Sequence, residues 1–380
     1  MKKNILMTSK NKLRPKTKTA IIGFYPVYPA KSGSAVVSYS FFECYPGEKK
    51  LFQILDYKIK INKKNISSEV ILFKHSFFKL LILPNLIIKI FNYLRNSSKP
   101  ILIIEGASWI GFSYTVFLII KLLIPKVTRV YRGQSIEYEI RKKNSGFIIS
   151  NLTKYLENII VNSIDVFTAV SNLEKKKILK YYKKKVDIFP NAVLLGKIKK
   201  ISKKRLPKKF VLYAGSYDYP PNKEAIDILI KKIMPGVIKN DDRIKLVLTG
   251  GPKVYQNKKF VVNLGVVKKK TLIDLYKSCI CLSVPIFEAY GSRIKIIEAL
   301  MLGTVVLSTS KGIEGLDYNK RSSTPIVSNN ISEFSRIILK LSKNKSFQQN
   351  AIKNKKIYLK KYGMKNQTEI FYFKLLRKLI

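Results

Sequence analysis

The amino-acid sequence predicts an α/β protein with two Rossmann-like domains. Apolar runs of strand length alternate with helical patterns, first in residues 20–193 and again in residues 210–345. A basic polar linker at residues 194–209 separates the two series. With 380 residues, the chain is long enough for two domains that each bury a full hydrophobic core.

The net charge of the chain is +50 at pH 7. Nucleic acid, an anionic membrane surface, or compositional drift towards lysine would each account for it. The chain has 62 Lys against 11 Arg, and the charge divides into +26 for residues 1–200 and +24 for residues 201–380. Arg is the residue that proteins prefer for binding bases and phosphates, and a nucleic-acid-binding patch would concentrate the positive charge in one part of the chain. We therefore favour compositional drift towards lysine as the cause of the charge and expect no nucleic-acid partner. Charge of any origin still attracts anionic lipid.

The composition also limits the class of protein. Three cysteines and one histidine are too few for a disulfide scaffold or a Cys/His zinc site. No segment reaches ~20 uninterrupted apolar residues, so no membrane span is predicted. Residues 1–19 lack the apolar core of a signal peptide and are expected to be a disordered basic leader. We therefore expect a cytoplasmic protein that is peripheral on the inner face of the membrane, with Lys79 and Lys89 in the apolar stretch 77–94 as its contacts.

Residues 279–308 predict one strand–loop–helix–strand unit. Residues 279–284 form the first apolar strand, a helical pattern runs from Ser292 to Met301, and a second strand follows Gly303. Ser292 suits the N-cap position and Gly303 suits the position just after the helix. Because ligands of open α/β sheets bind beyond the carboxyl ends of the strands, the loop before Ser292 is a predicted binding site.

The residue types in this unit suit a nucleotide. Free N–H groups and the helix dipole favour a phosphate, and Gly291 lets the backbone approach it. Arg293 and Lys295 add positive charge. Glu298 lies about two turns beyond Gly291 on the same face, and a carboxylate suits neutral hydroxyls better than phosphate. The alternative interpretation is a surface loop with an unrelated Glu.

This segment resembles the nucleotide-sugar site of GT-B glycosyltransferases, in particular family 4, in the variant that has a G-x-R-x-K-x-x-E-A run. That run is present here as Gly291, Arg293, Lys295, Glu298 and Ala299. Further segments follow the order of that family: FVLYAGSYDYPPNKEAI (210–226), LVLTGGP (246–252), NLGVV (263–267) and LSTSKGIEGL (307–316). Five ordered matches make the resemblance specific.

The resemblance implies an architecture and a reaction. It implies an acceptor domain (20–193) and a nucleotide-sugar domain (210–345) facing across a cleft, with helices in residues 346–380 packing back on the first domain. It implies an enzyme of the hexosyltransferase type, which transfers a sugar from a nucleotide-diphosphate sugar to a glycan or lipid-linked acceptor. Retention at the anomeric carbon and a place in cell-surface polysaccharide or glycolipid biosynthesis are also implied. Metal and cofactor are expected to be absent, with basic residues replacing the cation.

Further donor-binding residues follow from the resemblance. Gly215 and Ser216 form a glycine turn opposite the loop of residue 291, and Asn222 is the expected cap of the next helix. In the family, the first glycine turn of the amino-terminal domain faces the donor phosphates. Gly33 and Ser34 occupy that turn in this sequence.

Two positions depart from the family pattern. Many relatives place a histidine of the amino-terminal domain against the donor sugar, where this chain has Gln134, which can donate a hydrogen bond but carries no charge. A second acid is usual eight positions before Glu298, where this chain has Tyr290, so Glu288 is the nearest substitute. Gln134 and Glu288 are therefore the predicted catalytic residues.

The departures leave two other functions open. A catalytically degenerate GT-B protein that binds a sugar nucleotide without transferring the sugar would keep the same donor site. A sugar-nucleotide epimerase would need acid and base groups in the cleft, and the scarcity of histidine, with one in the whole sequence, counts against it.

Overall fold

The chain divides into two compact units, one comprising Met1–Pro190 with Thr368–Ile380 and the other Asn191–Gln367. The computed structural model describes residues 17–30, 32–56, 68–73, 81–106, 110–196, 206–288, 293–318 and 324–378. Most of the predicted leader and most of the predicted linker lie outside these residues, as do Lys79, Tyr290, Gly291 and Ser292.

The first unit contains a seven-stranded, all-parallel sheet. Its strands are β1 (Lys18–Gly23), β2 (Glu48–Asp56), β3 (Ser68–Phe73), β4 (Ile101–Gly106), β5 (Thr128–Gly133), β6 (Val166–Ala169) and β7 (Asp187–Ile188). They lie in the order β3-β2-β1-β4-β5-β6-β7. The direction of winding reverses between β1 and β4, so the carboxyl ends of these two strands form the switch point of a doubly wound sheet.

Helices cover both faces of this sheet. They are α1 (Gly33–Cys44), α2 (Leu83–Leu94), α3 (Ile110–Leu123), α4 (Glu137–Asn144), α5 (Phe147–Ser163) and α6 (Asn172–Tyr182). The helices α2, α3, α5 and α6 contact one another in that sequence and so form one layer. The crossover through α1 runs in the opposite direction along the sheet, which by the right-handed rule assigns α1 to the other face. The strand β4 is an unbroken run of buried residues because helices cover it on both sides.

The second unit contains a six-stranded parallel sheet. Its strands are β8 (Lys209–Ala214), β9 (Ile244–Thr249), β10 (Val261–Asn263), β11 (Cys281–Val284), β12 (Val306–Ser308) and β13 (Ile326–Val327). They lie in the order β10-β9-β8-β11-β12-β13. The central strand β8 pairs with both β9 and β11, so the switch point of this sheet lies between β8 and β11.

The helices of the second half follow the same alternation. They are α7 (Pro220–Ile228), α8 (Met234–Ile238), α9 (Lys269–Ser278), α10 (Ile294–Leu302), α11 (Ile331–Lys343), α12 (Ser346–Tyr362) and α13 (Met364–Lys378). A π-helical turn, Leu229–Ile233, joins α7 to α8. Gly303 ends α10 with φ of +77°, a left-handed conformation that glycine adopts without strain. Two parallel sheets wound with helices confirm the predicted fold class.

The predicted helix caps differ from the observed ones. Asn222 is the third residue of α7, and the N-cap is Tyr219, because Pro220 and Pro221 fill the first helical positions, where a missing N–H is harmless. The helix predicted to start at Ser292 has Arg293 as its N-cap. The carbonyl of Arg293 accepts the first two helical N–H bonds, from Ile296 and Ile297.

Aromatic side chains fix the end of α13 within the first unit. The ring of Phe371 lies 6.0 Å from Phe41 and 5.3 Å from Phe189, both nearly edge-on. The ring of Tyr372 lies 5.3 Å from Tyr45 in the same geometry. The preceding helix, α12, instead packs on α10 within the second unit. The two terminal helices therefore make their main contacts in different units.

The apolar segment before β5 forms a short helix that buries one face. The helix α3 has 14 residues and packs between α2 and α5. Among the described residues, no helix combines the length and the apolar character that crossing a bilayer requires. The predicted crossover helix is present at this position.

Replacing Phe371 with alanine should weaken the first unit. Phe371 is 8% exposed, and its removal leaves a cavity between two rings, so we expect the free energy of unfolding to fall by about 3 kcal/mol in chemical denaturation. Phe373 on the same helix is 57% exposed, and Phe373→Ala should change stability by less than about 0.5 kcal/mol. Equal losses from the two variants would contradict this account of how α13 is held.

Candidate functional site

The carboxyl ends of β8, β9 and β11 lie at the switch point of the second sheet. Gly215 follows β8, Gly250 follows β9, and the loop after β11 leads to α10. Because β8 lies between β9 and β11, these turns occupy one edge of the sheet. This edge holds the carboxyl ends of parallel strands, where open α/β sheets bind their ligands.

Glycines let the turns after β8 and β9 pack backbone against backbone. Gly250 has φ of +108°, and a Cβ atom there would lie 3.0 Å from the backbone nitrogen of Gly215. A Cβ atom on Gly251 would lie 2.7 Å from Oγ of Ser216. The N–H of Gly215 donates to the carbonyl of Thr249 at 2.7 Å. The two turns therefore have room for backbone only.

The ammonium group of Lys295 lies directly beside the turn at Gly215. Its Nζ donates to Oδ1 of Asn222 at 2.7 Å and to Oη of Tyr213 at 3.1 Å. It also lies 4.2 Å from the centre of the Tyr213 ring, within cation–π range. A Cβ atom on Gly215 would lie 2.6 Å from Nζ, so only glycine fits here with Lys295 in this position.

Asn222 connects the helix α7 to this arrangement. Its Oδ1 accepts from Lys295 and, at 2.9 Å, from Oη of Tyr213. Its Nδ2 donates to the carbonyl of Ser216 at 2.9 Å. The sequence predicts Asn222 as a helix cap that binds donor, whereas in the structure its side chain holds Lys295 and the glycine turn in place.

The side chains of Lys295 and Arg293 are both shielded from water at this edge. Burial, followed by the charge of Arg293, lowers the pKa of Lys295 to about 7. Burial likewise lowers the pKa of Arg293, which is a buried residue and donates to the carbonyl of Lys311 at 3.4 Å. The two side chains that hold the Lys295 ammonium are neutral, so they leave its charge uncompensated. Such a site is stabilised by an anion.

Glu298 lies on α10 one turn after Lys295 and is buried. Its carboxylate is paired with Lys269 from α9 and accepts from Oη of Tyr276 at 3.4 Å. The side chain of Lys269 is 43% exposed, so water can replace Glu298 as its partner if a ligand takes the carboxylate. The carboxylate predicted to bind hydroxyls is thus held within the protein by a surface lysine.

The other predicted site residues of this unit are Ser216, Glu288, Gly291 and Ser292. Ser216 donates to Oδ2 of Asp218 at 3.1 Å and accepts from the N–H of that residue at 3.3 Å, which closes a tight turn. Glu288 is exposed in the loop after β11. Its catalytic role stays a prediction, as do the roles of Gly291 and Ser292.

Residues 208–344 match the family described as Glycosyl transferases group 1. This part of the chain belongs to the group 1 glycosyl transferases. The match runs from β8 to α11 and contains Gly215, Asn222, Lys295 and Glu298. The family and enzyme class predicted from the sequence motifs are therefore confirmed: the chain is a glycosyltransferase. A search of curated proteins finds no match.

Solved structures share the architecture of both units of this glycosyltransferase. HepE from Anabaena, in complex with UDP and glucose, has a TM-score of 0.70 at 12% identity, with 95% of this chain and 99% of HepE covered. Sucrose-phosphate synthase from Thermosynechococcus elongatus has a TM-score of 0.70 at 15% identity with the same coverage. WaaB, a lipopolysaccharide outer core galactosyltransferase, has a TM-score of 0.60 at 12% identity, again with 95% and 99% covered. These identities establish the fold alone, and the fold is GT-B.

Gln134 of the glycosyltransferase belongs to a buried polar network in the first unit. Its Nε2 lies 3.0 Å from Oη of Tyr25, 2.7 Å from Oγ of Ser38 and 3.0 Å from Oε2 of Glu105. Glu105 is also paired with Arg132, and all but Tyr25 are fully buried. The N–H groups of Gln134 are therefore directed at protein acceptors, and its role towards a sugar hydroxyl stays a prediction.

Gly33 and Ser34 begin α1, which follows β1 at the switch point of the first sheet. Ser32 is the N-cap, and its Oγ accepts from the N–H of Ala35 at 3.2 Å. Gly33 is exposed and Ser34 is half-buried. A helix N-terminus at this edge agrees with the predicted position near phosphate, and binding itself stays a prediction.

Sequence reasoning missed Tyr213 and Lys269. Tyr213 lies in the buried strand β8, where a core tyrosine has the same sequence pattern. Lys269 is one of 62 lysines, and nothing in its neighbourhood marks it. Within the described part of the chain, no group of three or more His, Cys, Asp or Glu side chains could hold a metal ion.

Lys295→Met should stabilise the second unit of this glycosyltransferase below pH 7. The unfolded chain keeps the Lys295 proton up to about its ordinary value of 10.5, whereas the folded pKa is about 7. The buried charge therefore destabilises the fold fully below pH 7, and wild-type stability recovers as the pH rises towards 10.5. The advantage of the Met variant should shrink across that window in chemical denaturation.

The control for this comparison is Lys295→Arg, which keeps a charge at every accessible pH. We expect it to show no gain below pH 7. An advantage of Lys295→Met that stays constant from pH 6 to pH 10 would contradict the assignment, because a packing effect would not follow titration of Lys295.

Proposed function

We propose that this glycosyltransferase moves a hexose from a nucleotide-diphosphate sugar to a glycan or lipid-linked acceptor, with retention at the anomeric carbon. The observation that carries the proposal is the uncompensated charge of Lys295 beside Gly215, with Arg293 next to it at the start of α10. Cell-surface polysaccharide or glycolipid synthesis, in the cytoplasm at the inner face of the membrane, is the proposed setting.

The cationic site suits the leaving group of such a reaction. As the bond to the sugar breaks, negative charge develops on the departing diphosphate oxygens. Fixed positive groups in a dehydrated site stabilise that charge more than water does, because they need no reorganisation. Lys295 is already oriented by Asn222 and Tyr213, so its ammonium is in place before the donor arrives. A bound diphosphate would also raise the Lys295 pKa and keep the group charged at neutral pH.

Glu298 is the proposed partner of the ribose hydroxyls. It lies on the same helix as Lys295 and one turn further on. Its present partner, Lys269, is the group that a ribose would displace. Since the released ammonium of Lys269 is already 43% exposed, its loss of this contact is offset by hydration.

The similar structures suggest which donor to test first. HepE was crystallised with UDP and glucose, and also with UDP-glucose. Another GT-B structure of similar shape is named as a UDP-forming trehalose-phosphate synthase. UDP-hexoses are therefore the first donors to test. The name of WaaB as a lipopolysaccharide galactosyltransferase supports a glycolipid among the acceptors to test.

One observation favours a second function, binding of a sugar nucleotide without transfer. The N–H groups of Gln134 bond to Tyr25, Ser38 and Glu105, so the residue that stands where relatives have a histidine offers no free donor there. A protein with an intact donor site and this arrangement would bind the sugar nucleotide and leave it unchanged.

A donor panel tests the proposal directly. Thermal shift with UDP-, GDP- and other nucleotide sugars should show stabilisation by one class of base. Release of the free nucleotide from that donor, followed by NMR of the sugar product, should then show hydrolysis or transfer with the anomeric configuration kept. Binding without any release of nucleotide would select the second function, and no shift with any donor would reject both.

Glu298→Gln should lower nucleoside diphosphate affinity by about 1.5–3 kcal/mol, the range for a hydrogen bond to a charged group. Titration calorimetry with the nucleoside diphosphate and with inorganic diphosphate separates the two ends of the site. The substitution should leave binding of inorganic diphosphate unchanged, since that ligand has no ribose.

Lys269→Met is the matched variant for this experiment. It removes the competing partner of the Glu298 carboxylate, so nucleotide affinity should stay equal or rise. A fall in affinity as large as that of Glu298→Gln would show that the Lys269–Glu298 ion pair itself shapes the site, and that the carboxylate does not bind ribose.

A further inference from the structure

The first turns of α5 present large apolar side chains to solvent. Phe147 is 82% exposed and Ile148 is 81% exposed, and Ile149, Leu152 and Tyr155 are each more than half exposed. We call these five residues the α5 surface. Exposed apolar patches of this density are uncommon on soluble proteins and mark sites of interaction.

The outer face of α5 is exposed because its inner face is fixed. Ser150, Thr153, Glu157 and Ile160 form a buried stripe at helical spacing. The carboxylate of Glu157 accepts from the backbone N–H groups of Glu137 and Tyr138 at 3.0 and 3.1 Å. It therefore caps the start of α4 and joins the two helices. The α5 surface is thus held outward by the fold.

Positive charge borders this apolar surface. The helix α4 ends with Arg141, Lys142 and Lys143 immediately before α5, and Lys154 lies within α5. The acidic side chains of α4 and α5 do not lie on this outer surface. Glu137 and Glu157 are buried, and Glu139 pairs with Lys177 and accepts a hydrogen bond from Tyr181. The outer side of α4 and α5 therefore combines apolar side chains with basic ones.

The neighbouring helix extends the apolar surface. The helix α3 packs beside α5 on the same face of the sheet, where Gly111 faces Leu156. Its side chains Leu118, Leu122 and Leu123 are also exposed. Two adjacent helices on one face of the first unit thus carry exposed apolar residues.

We propose that the α5 surface docks on an anionic lipid bilayer. Phe147, Ile148 and Leu152 enter the boundary between headgroups and acyl chains, while Lys142 and Lys154 meet the lipid phosphates. An amphipathic helix with apolar residues on one side and lysines at its border binds membranes in this way. This surface replaces the contact predicted at residues 77–94, of which Lys89 is only half exposed on α2.

The positive charge of the chain favours anionic lipid, and not a second copy of the chain, as the partner of the α5 surface. A symmetric dimer would bring two chains of net charge +50 together with the ends of both α4 helices close to one another. Anionic lipid neutralises that charge instead. The inference rests on the proposed function in one respect, which is that a lipid-linked acceptor would lie at the same membrane. Binding of the α5 surface to lipid does not require a bound sugar-nucleotide donor.

Sedimentation with vesicles tests the proposal on the full chain. The wild type should bind vesicles with about one third anionic lipid much more tightly than neutral ones. The triple variant Phe147→Ser, Ile148→Ser, Leu152→Ser should lower the partition coefficient at least about 100-fold, since each apolar side chain contributes about tenfold. The matched control, Val266→Ser with Ile357→Ser, removes exposed apolar side chains of the second unit and should bind as the wild type does.

A charge variant tests the polar part of the surface. Lys142→Glu should weaken binding to anionic vesicles about fivefold or more at low salt, and the difference should shrink at about 0.5 M salt. Equal binding of wild type and triple variant would overturn the proposal, as would equal binding of the wild type to neutral and anionic vesicles.

Two further measurements separate this proposal from others. Sedimentation velocity without lipid should show the same oligomeric state for wild type and triple variant, and a dimer lost in the variant would overturn the proposal in favour of a second copy. Nucleotide affinity should be unchanged in the variant, which shows an intact second unit. Vesicle binding without sugar transfer would reject the proposed function and leave the docking surface standing.

Discussion

The position of the Lys295 ammonium depends on a contact between three elements that are far apart in the sequence. Asn222 from α7 and Tyr213 from β8 hold it, and Gly215 leaves the space that it occupies. Burial without a compensating carboxylate from these partners lowers its pKa, which is unfavourable for the empty protein and favourable once an anion binds. The fold therefore holds a positive charge at the switch point of the second sheet, where the proposed diphosphate would neutralise it.

The side chains at the switch points of the two sheets are arranged differently. In the second unit, the Lys295 ammonium at this edge is held by the neutral side chains of Asn222 and Tyr213, and the edge is suited to an anion. In the first unit, the equivalent edge is filled from within: Glu105 is paired with Arg132 and accepts from Ser38 and Gln134. A buried hydrogen-bonded network of this kind favours one arrangement of side chains. The exposed surfaces of the first unit include the apolar α5 surface.

Much of the fold could be predicted from the sequence because the signals are local. Unbroken apolar runs such as residues 101–104 predict parallel strands that are buried on both faces, and glycine marks the turns that follow them. The helix caps were predicted less well. Asn222 has the right chemistry for a cap, but the two prolines before it start the helix earlier. The choice between two acceptable caps depends on backbone conformation, which a single sequence does not fix.

The sequence by itself determined the α/β class, the glycosyltransferase family and the run of residues from Arg293 to Glu298, because period, glycine placement and motif order all act over short stretches of chain. Only the tertiary structure decided which partners these side chains take. Lys269 pairs with Glu298 across 29 positions, and Gln134 meets Tyr25 across 109. The tertiary structure also decided that Phe147 and Ile148 face solvent, since a run of apolar residues predicts burial until the packing of the neighbouring helices is known.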